Sequence, residues 1–446
     1  MKMRLLQFAV VVAGIVSLTS LAAGEQGITP PDGFQELIDR RDPSTWKGGT
    51  TRDPREIAAL EGDDLAAWQQ EMQQGLAAHW RVDHDKNGGG EIVSDGQEPF
   101  LATSQEYGDF ELWVDWKINP DGDSGIYLRG VPQVQIWDPW SQVSAKHGAA
   151  KGSGGLWNNE THERFPTARA DHRPGEWNRM HVTMIGPYVT VELNDQKVVD
   201  HVVMENYYDR AIPIFARGPI YLQTHGSETR FRNLFIREIG ADEANRRLAQ
   251  IEGDDVEFTN LFDGQGLTGW IGATDDYEVV DGAIQCRTGC SGNLLTAENY
   301  GDFILRFEFR LPPGGNNGLA IRTPEPTSDP HLDGIELQIL DDTDPQYATL
   351  HDYQYHGSAY GLAPAHRGYL RPVGEWNHEQ VTVRGDQIEV DLNGFKILNV
   401  NLAEVREHPL DGLAHPGASR PIGRLGFCGH SDPVAFRNIR VKRLGE

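Results

Sequence analysis

Basic residues, cysteine and methionine are all scarce in this 446-residue chain. Only 40 Lys and Arg stand against 66 Asp and Glu, a formal net charge of -26. So acidic a surface repels phosphate backbones and anionic headgroups, which argues against nucleic acids and membrane surfaces as partners. Neutral ligands and cations are left. The three cysteines, Cys286, Cys290 and Cys428, are too few for a disulfide scaffold and fall short of a structural zinc site. The spacing of Cys286 and Cys290 allows one small bridged loop without requiring it. What the chain has in quantity is glycine, 50 residues, with 25 prolines, a balance suited to tight turns between short strands.

The N-terminus reads as a leader. Met1 to Arg4 is basic, Leu5 to Leu18 is almost wholly apolar, and Ser20-Leu21-Ala22-Ala23 supplies small residues for cleavage. Residues 1–23 are therefore expected to be a signal peptide, and the mature protein periplasmic or extracellular. After its removal no apolar run approaches the ~20 residues a spanning helix needs, so no membrane partner is expected.

The rest of the chain contains its own copy. Tyr107-Gly-Asp-Phe110 returns as Tyr300-Gly-Asp-Phe303, Gly175-Glu-Trp-Asn178 as Gly374-Glu-Trp-Asn377, and Phe231-Arg-Asn233 as Phe436-Arg-Asn438. A period near 200 residues is too long for a solenoid unit and indicates a tandem duplication. The copies read as strands. In Phe110 to Ile118 every second residue is apolar, and Phe303 to Leu311 repeats the pattern. Val189 to Leu193 and Ile388 to Leu392 run into Asn194-Asp195 and Asn393-Gly394, suited to the positive φ of a hairpin. The expected fold is all-β: two tandem sandwich or jelly-roll domains. Two helices interrupt them, an insertion over Asp53 to His79 and a linker over Ala241 to Ile251 closed by Gly253. The expected domains are 24–240 and 256–446, joined by 241–255.

The order of these motifs carries a resemblance. Each copy opens with Phe-x-x-Leu-Ile/Phe-Asp (Phe34 to Asp39, Phe258 to Asp263). A Trp, the Tyr-Gly-Asp-Phe strand and an apparent turn follow, Asp123-Ser-Gly125 or Asn316-Asn-Gly318. A Val/Leu-Gln-Ile strand, Gly-Glu-Trp-Asn, a Leu-Asn hairpin and Phe-Arg-Asn complete the series. The chain resembles the 3-keto-disaccharide hydrolase domains, twice over. That resemblance implies a concanavalin A-like sandwich and action on glycosides whose ring carries a ketone at C3. Such a ketone acidifies C2–H, so a base can remove that proton and expel the group on C1, and water can then add. The chemistry calls for a base, a donor to the enolate oxygen and an acid for the leaving group.

The candidate residues cluster in the second copy. Glu336 and Gln338 alternate with Ile335, Leu337 and Ile339 and so share one strand face, with Asp341 at the strand end. Glu336 is the expected acid/base and Gln338 a hydroxyl-orienting partner. Asp341, His356 and His430 complete the catalytic candidates, and Asn317 and Tyr360 are expected to touch substrate. The first copy has Gln133 in place of Glu336. An amide cannot exchange a proton near neutral pH, so that copy either uses another base, with Asp138 and His225 as candidates, or only binds. His225, in Thr-His-Gly, occupies the place of His430. Gln133, Gln135, Asp138 and His225 are expected at a saccharide site, with Trp137 and Trp140 stacking on sugar faces. Trp113, Trp116 and Trp177 are expected in the core.

No cofactor and no metal are expected. Asp83 to Gly88 looks like half a calcium loop, but its twelfth position is Ser94. The competing readings are a carbohydrate-binding protein without turnover and an ordinary endo-glycanase. The second lacks a Glu-x-Asp-x-x-Glu strand to supply paired carboxylates. The oligomeric state is left open.

Overall fold

The computed structural model describes residues 29–84, 90–253, 257–327 and 329–445; the proposed leader lies outside them. Each copy folds as two antiparallel sheets packed face to face. In the first copy the larger sheet runs Gln196–Val203, Tyr188–Leu193, Asn178–Ile185, Phe110–Ile118, Thr229–Glu238, Gly90–Ser94, Trp80–His84. The smaller runs Lys47–Gly49, Phe100–Ala102, Tyr221–Leu222, Asp123–Leu128, Val131–Trp137. The second copy repeats both orders strand for strand, ending its smaller sheet in Arg424–Gly429, Asn316–Thr323 and Ile335–Leu340.

The alternation read from sequence fixes which face is buried. Phe110, Leu112, Val114 and Trp116 point inward and are fully or almost fully buried. In the second copy Phe303, Leu305, Phe307 and Phe309 do the same, and Phe307 meets the stacked pair Phe427–Phe436. Trp113 and Trp177 depart from expectation. Their parity places them outside the core, where Arg179 lies over Trp113 and Lys117 and Arg232 over Trp177.

The repeated motifs hold the strands in register. Asp109 accepts a hydrogen bond from the Gly186 amide at 2.8 Å, and Asp302 from Gly385 at 2.9 Å, so each clamps a hairpin turn. Asn178 accepts from Asn194, and Asn377 from Asn393, at 2.8 and 2.9 Å. Asn233 and Asn438 sit at left-handed bulge positions and donate to Asp115 and Glu308, both at 2.7 Å.

The helical insertion forms as Pro54–Ala58 and Gly62–His79, and its Met72 and Leu76 are buried. Met72 packs on Gly48 of an edge strand, so closely that a Cβ there would fall 2.7 Å from the Met72 Cβ. The linker helix Ala241–Ile251 lies between the sandwiches, with Ala244 and Leu248 buried against Ile185. Arg371 of the second copy reaches across to Asp109 of the first at 3.2 Å and also donates to the Trp376 carbonyl. Among the described residues, no helix is long and apolar enough to cross a membrane.

Candidate functional site

The outer face of each smaller sheet carries a cleft. In the second copy it measures ≈ 390 Å³ and is floored by Asn316, Glu336 and Gln338 from two adjacent strands. Tyr347, Tyr353 and Tyr360 form its wall, and His430 stands at its rim. Glu336 and Gln338 are almost buried, at 6% and 5% exposure, while Ile335, Leu337 and Ile339 fill the core behind them. Gln338 donates to Asn316 Oδ1 at 2.7 Å and to the Asn317 carbonyl at 3.3 Å, which fixes its amide.

Glu336 is held differently. Its Oε1 has no hydrogen-bond partner among the described residues and lies 3.5 Å from His430 Nε2. That separation is at the outer limit of a hydrogen bond. The interaction with Glu336 and the nearby Asp432 charge hold the His430 imidazole above its ordinary range, against the opposing effect of burial. An unpaired buried carboxylate oxygen is costly, and this one belongs to a residue that lines the cleft. Tyr360 accepts from Gln354 Nε2 at 2.6 Å, leaving its own O–H free to donate into the same cleft.

Gly318 makes room for this carboxylate. A Cβ at that position would fall 1.9 Å from Glu336 Oε1. The triplets read as turns from sequence are thus strand residues, Asp123–Leu128 and Asn316–Thr323, and their glycines admit a side chain from the neighbouring strand.

Three second-copy expectations are corrected. Asp341 is buried outside the cleft, where it accepts from the Gly314 and Thr343 amides and the Thr343 hydroxyl and so holds a turn. His356 points into the core: it is 2% exposed, packs on Phe309, and lies 3.1 Å from Glu379. Asn317 is fully buried behind the cleft, and its neighbour Asn316 lines it instead.

The first-copy cleft, ≈ 280 Å³, holds Gln133, Gln135, Trp137 and His225 together. Trp157, whose loop-like sequence near the groove already suggests a stacking ring, also lines it, and so does Asp123, which reads from sequence only as part of a turn. Asp138 is displaced from the cleft; it is buried and accepts from the Asp121 and Trp140 amides. Trp140 lies outside as well, covered by the guanidinium groups of Arg169 and Arg173. Trp137 is nearly buried and donates to the Gly152 carbonyl at 2.7 Å, so it packs as well as lines.

A larger cleft, ≈ 750 Å³, opens between the two sandwiches. Its His162–Glu205 pair, 3.0 Å apart, is committed to structure. Burial would raise the Glu205 carboxyl, but the amides of His162, Glu160 and Thr161 and the His162 side chain pull it down to about 2. A carboxylate so stabilised is a poor proton acceptor.

Fold and clefts together define a protein of two tandem antiparallel β-sandwiches, each carrying a polar cleft on its smaller sheet. The sequence profile of the 3-keto-alpha-glucoside-1,2-lyase-like domain matches residues 55–237 and again 257–442, and the chain belongs to that family. It is 27% identical over 235 residues to a 3-keto-disaccharide hydrolase of Bacteroides thetaiotaomicron, spanning 44% of this chain and 81% of that protein. Among solved structures it is similar to a candidate glycosyl hydrolase from Parabacteroides distasonis. That match has 25% identity and a TM-score of 0.39, and covers 42% of this chain and 94% of the other. A carbohydrate-binding module, CBM66 of Bacillus subtilis, matches at 15% identity and TM-score 0.28, over 39% and 95% of the two chains.

Proposed function

We propose that this protein is an exported enzyme that cleaves glycosides bearing a ketone at C3, and that the second-copy cleft performs the reaction. The observation that carries this is the buried, unpaired Glu336 oxygen facing His430 across 3.5 Å. Family membership and the hydrolase relative supply the substrate class. Export rests on the leader-like residues 1–23.

In this reading Glu336 takes the C2 proton, and the C–H electron pair forms the C2–C3 enolate. The Tyr360 hydroxyl donates to the enolate oxygen. The C1–O bond then breaks as C1=C2 forms, and the departing oxygen takes a proton from His430. Water adds to C1, C2 regains a proton from Glu336, and His430 is reprotonated from the attacking water. The sum is hydrolysis. A raised His430 suits the acid role, since the protonated form persists closer to neutral pH. Incubation with a 3-keto-glucoside and with its parent glucoside tests the reading: sugar release from the first alone supports it, and release from neither contradicts it.

A further inference from the structure

Sheet register brings the floors of the two clefts into correspondence. Gly125 pairs with Gln135 as Gly318 pairs with Gln338, which places Asp123 at the position of Asn316 and Gln133 at that of Glu336. Likewise Leu222 pairs with Ile126 as Phe427 pairs with Leu319, so His225 stands where His430 does. Even the floor hydrogen bond is kept: Gln135 donates to Asp123 Oδ1 at 2.7 Å, as Gln338 does to Asn316.

The acid and the amide have changed places. In the second copy the carboxylate is on the edge strand and the amide on its neighbour. In the first the edge-strand amide, Gln133, donates to Gln135 at 2.5 Å, and the carboxylate is Asp123 on the neighbouring strand. Asp123 Oδ2 lies 3.6 Å from His225 Nδ1, against 3.5 Å for Glu336 and His430. The carboxylate–histidine pair therefore survives the exchange, although an alignment that matches Gln133 to Glu336 shows only its loss.

We infer that the first copy is a second acid–base centre, with Asp123 as base and His225 as acid, acting on the same class of 3-keto-glycosides. Further observations agree. Gln223 lines the cleft, and its Oε1 is buried without a hydrogen-bond partner among the described residues, an unmet acceptor at the cleft floor. Burial keeps the Asp123 carboxyl above its ordinary range in spite of His225 and the Gln135 hydrogen bond, which makes it a better base than an exposed aspartate. Trp137, Trp157 and Tyr207 give this cleft broader aromatic surfaces than the tyrosine wall of the second, suited to a glycoside with a flat or apolar aglycone. In the step, the C2 proton passes to Asp123, the electron pair forms the enolate, C1–O breaks, and the aglycone oxygen takes a proton from His225. No oxidant or reductant is required.

The inference rests on the reaction proposed for the second cleft, and the test separates the two. Exchange of the C2 proton of a 3-keto-glucoside in D₂O, and release of its aglycone, are measured with the full chain. Wild-type protein that shows neither contradicts both proposals. If wild type is active, Glu336→Gln should keep at least about a tenth of the exchange. Asp123→Asn in that background should lower the remainder by about a hundredfold, the lower range of a general-base contribution. His225→Ala, a change at an exposed side chain, should lower it as well and guards against a folding defect at Asp123. An active wild type whose Glu336→Gln form is as inert as the Glu336→Gln/Asp123→Asn form overturns the second centre alone.

Discussion

Glu336 and His430 face each other across 3.5 Å, one almost buried and the other exposed at the cleft rim. A carboxylate in that position raises the imidazole, while its Oε1 has no other partner among the described residues. The pair sets a pH dependence. His430 stays protonated to higher pH than an ordinary histidine near ~6.5. With Asp123→Asn silencing the first cleft, the alkaline limb of kcat/KM should therefore fall above that value. In the folded state the pair's contribution to stability is fully present below ~6.5 and lost as pH rises through the higher folded value. An alkaline limb at or below the ordinary value would contradict the coupling.

Gly318→Ala should separate positioning from packing. The added methyl occupies the space of Glu336 Oε1, and the carboxylate is the group free to move. Turnover by the second cleft should fall at least tenfold, while the melting temperature changes by only a few degrees, the shift of about 1 kcal/mol in a domain of this size. Activity unchanged by this substitution would mean that the observed carboxylate position is not the working one.

His356 should matter for stability alone. It and Glu379 form a buried pair in the core, at 3.1 Å, where the first copy places Ser153 and Met180. His356→Ala strips a buried polar side chain, Glu379, of its partner and should cost about 3–5 kcal/mol. The double change His356→Ser with Glu379→Met, borrowing the first copy's solution, should recover most of it. Denaturant unfolding of the three variants measures this; a double variant as unstable as the single one would rule the explanation out.

Trp157 and Trp140 separate a cleft wall from a surface ring. Trp157 lines the first cleft, and Trp140 lies outside it beneath Arg169 and Arg173. Trp157→Ala should weaken saccharide binding there by about 1 kcal/mol, the order of an aromatic contact, and Trp140→Ala should leave it unchanged. Calorimetric titration in the Glu336→Gln/Asp123→Asn background, in which neither cleft turns over its ligand, reads both.

The duplication was legible because its motifs are structural. Asp109, Asn178 and Asn233 each make a hydrogen bond that a hairpin or bulge requires, so the same residues recur at the same strand ends in both copies. The sandwich followed from apolar alternation, and Glu336 with Gln338 from strand parity. The rest of the site depends on directions that sequence does not encode. His356 and Asp341 sit in polar-looking stretches, yet one chain direction turns the first into the core and another ties the second to backbone amides. Asp123 escaped because its role appears only across strands: neighbouring strands exchanged acid and amide, and only the register reveals it.

The most direct test of the account is the fate of the C2 hydrogen. A 3-keto-glucoside carrying deuterium at C2 should turn over with a primary isotope effect, or lose its label to water, and the parent glucoside should remain intact. Hydrolysis of the parent at a comparable rate, with no isotope effect and no label loss from the ketone, would contradict removal of that proton and with it the mechanism assigned to Glu336.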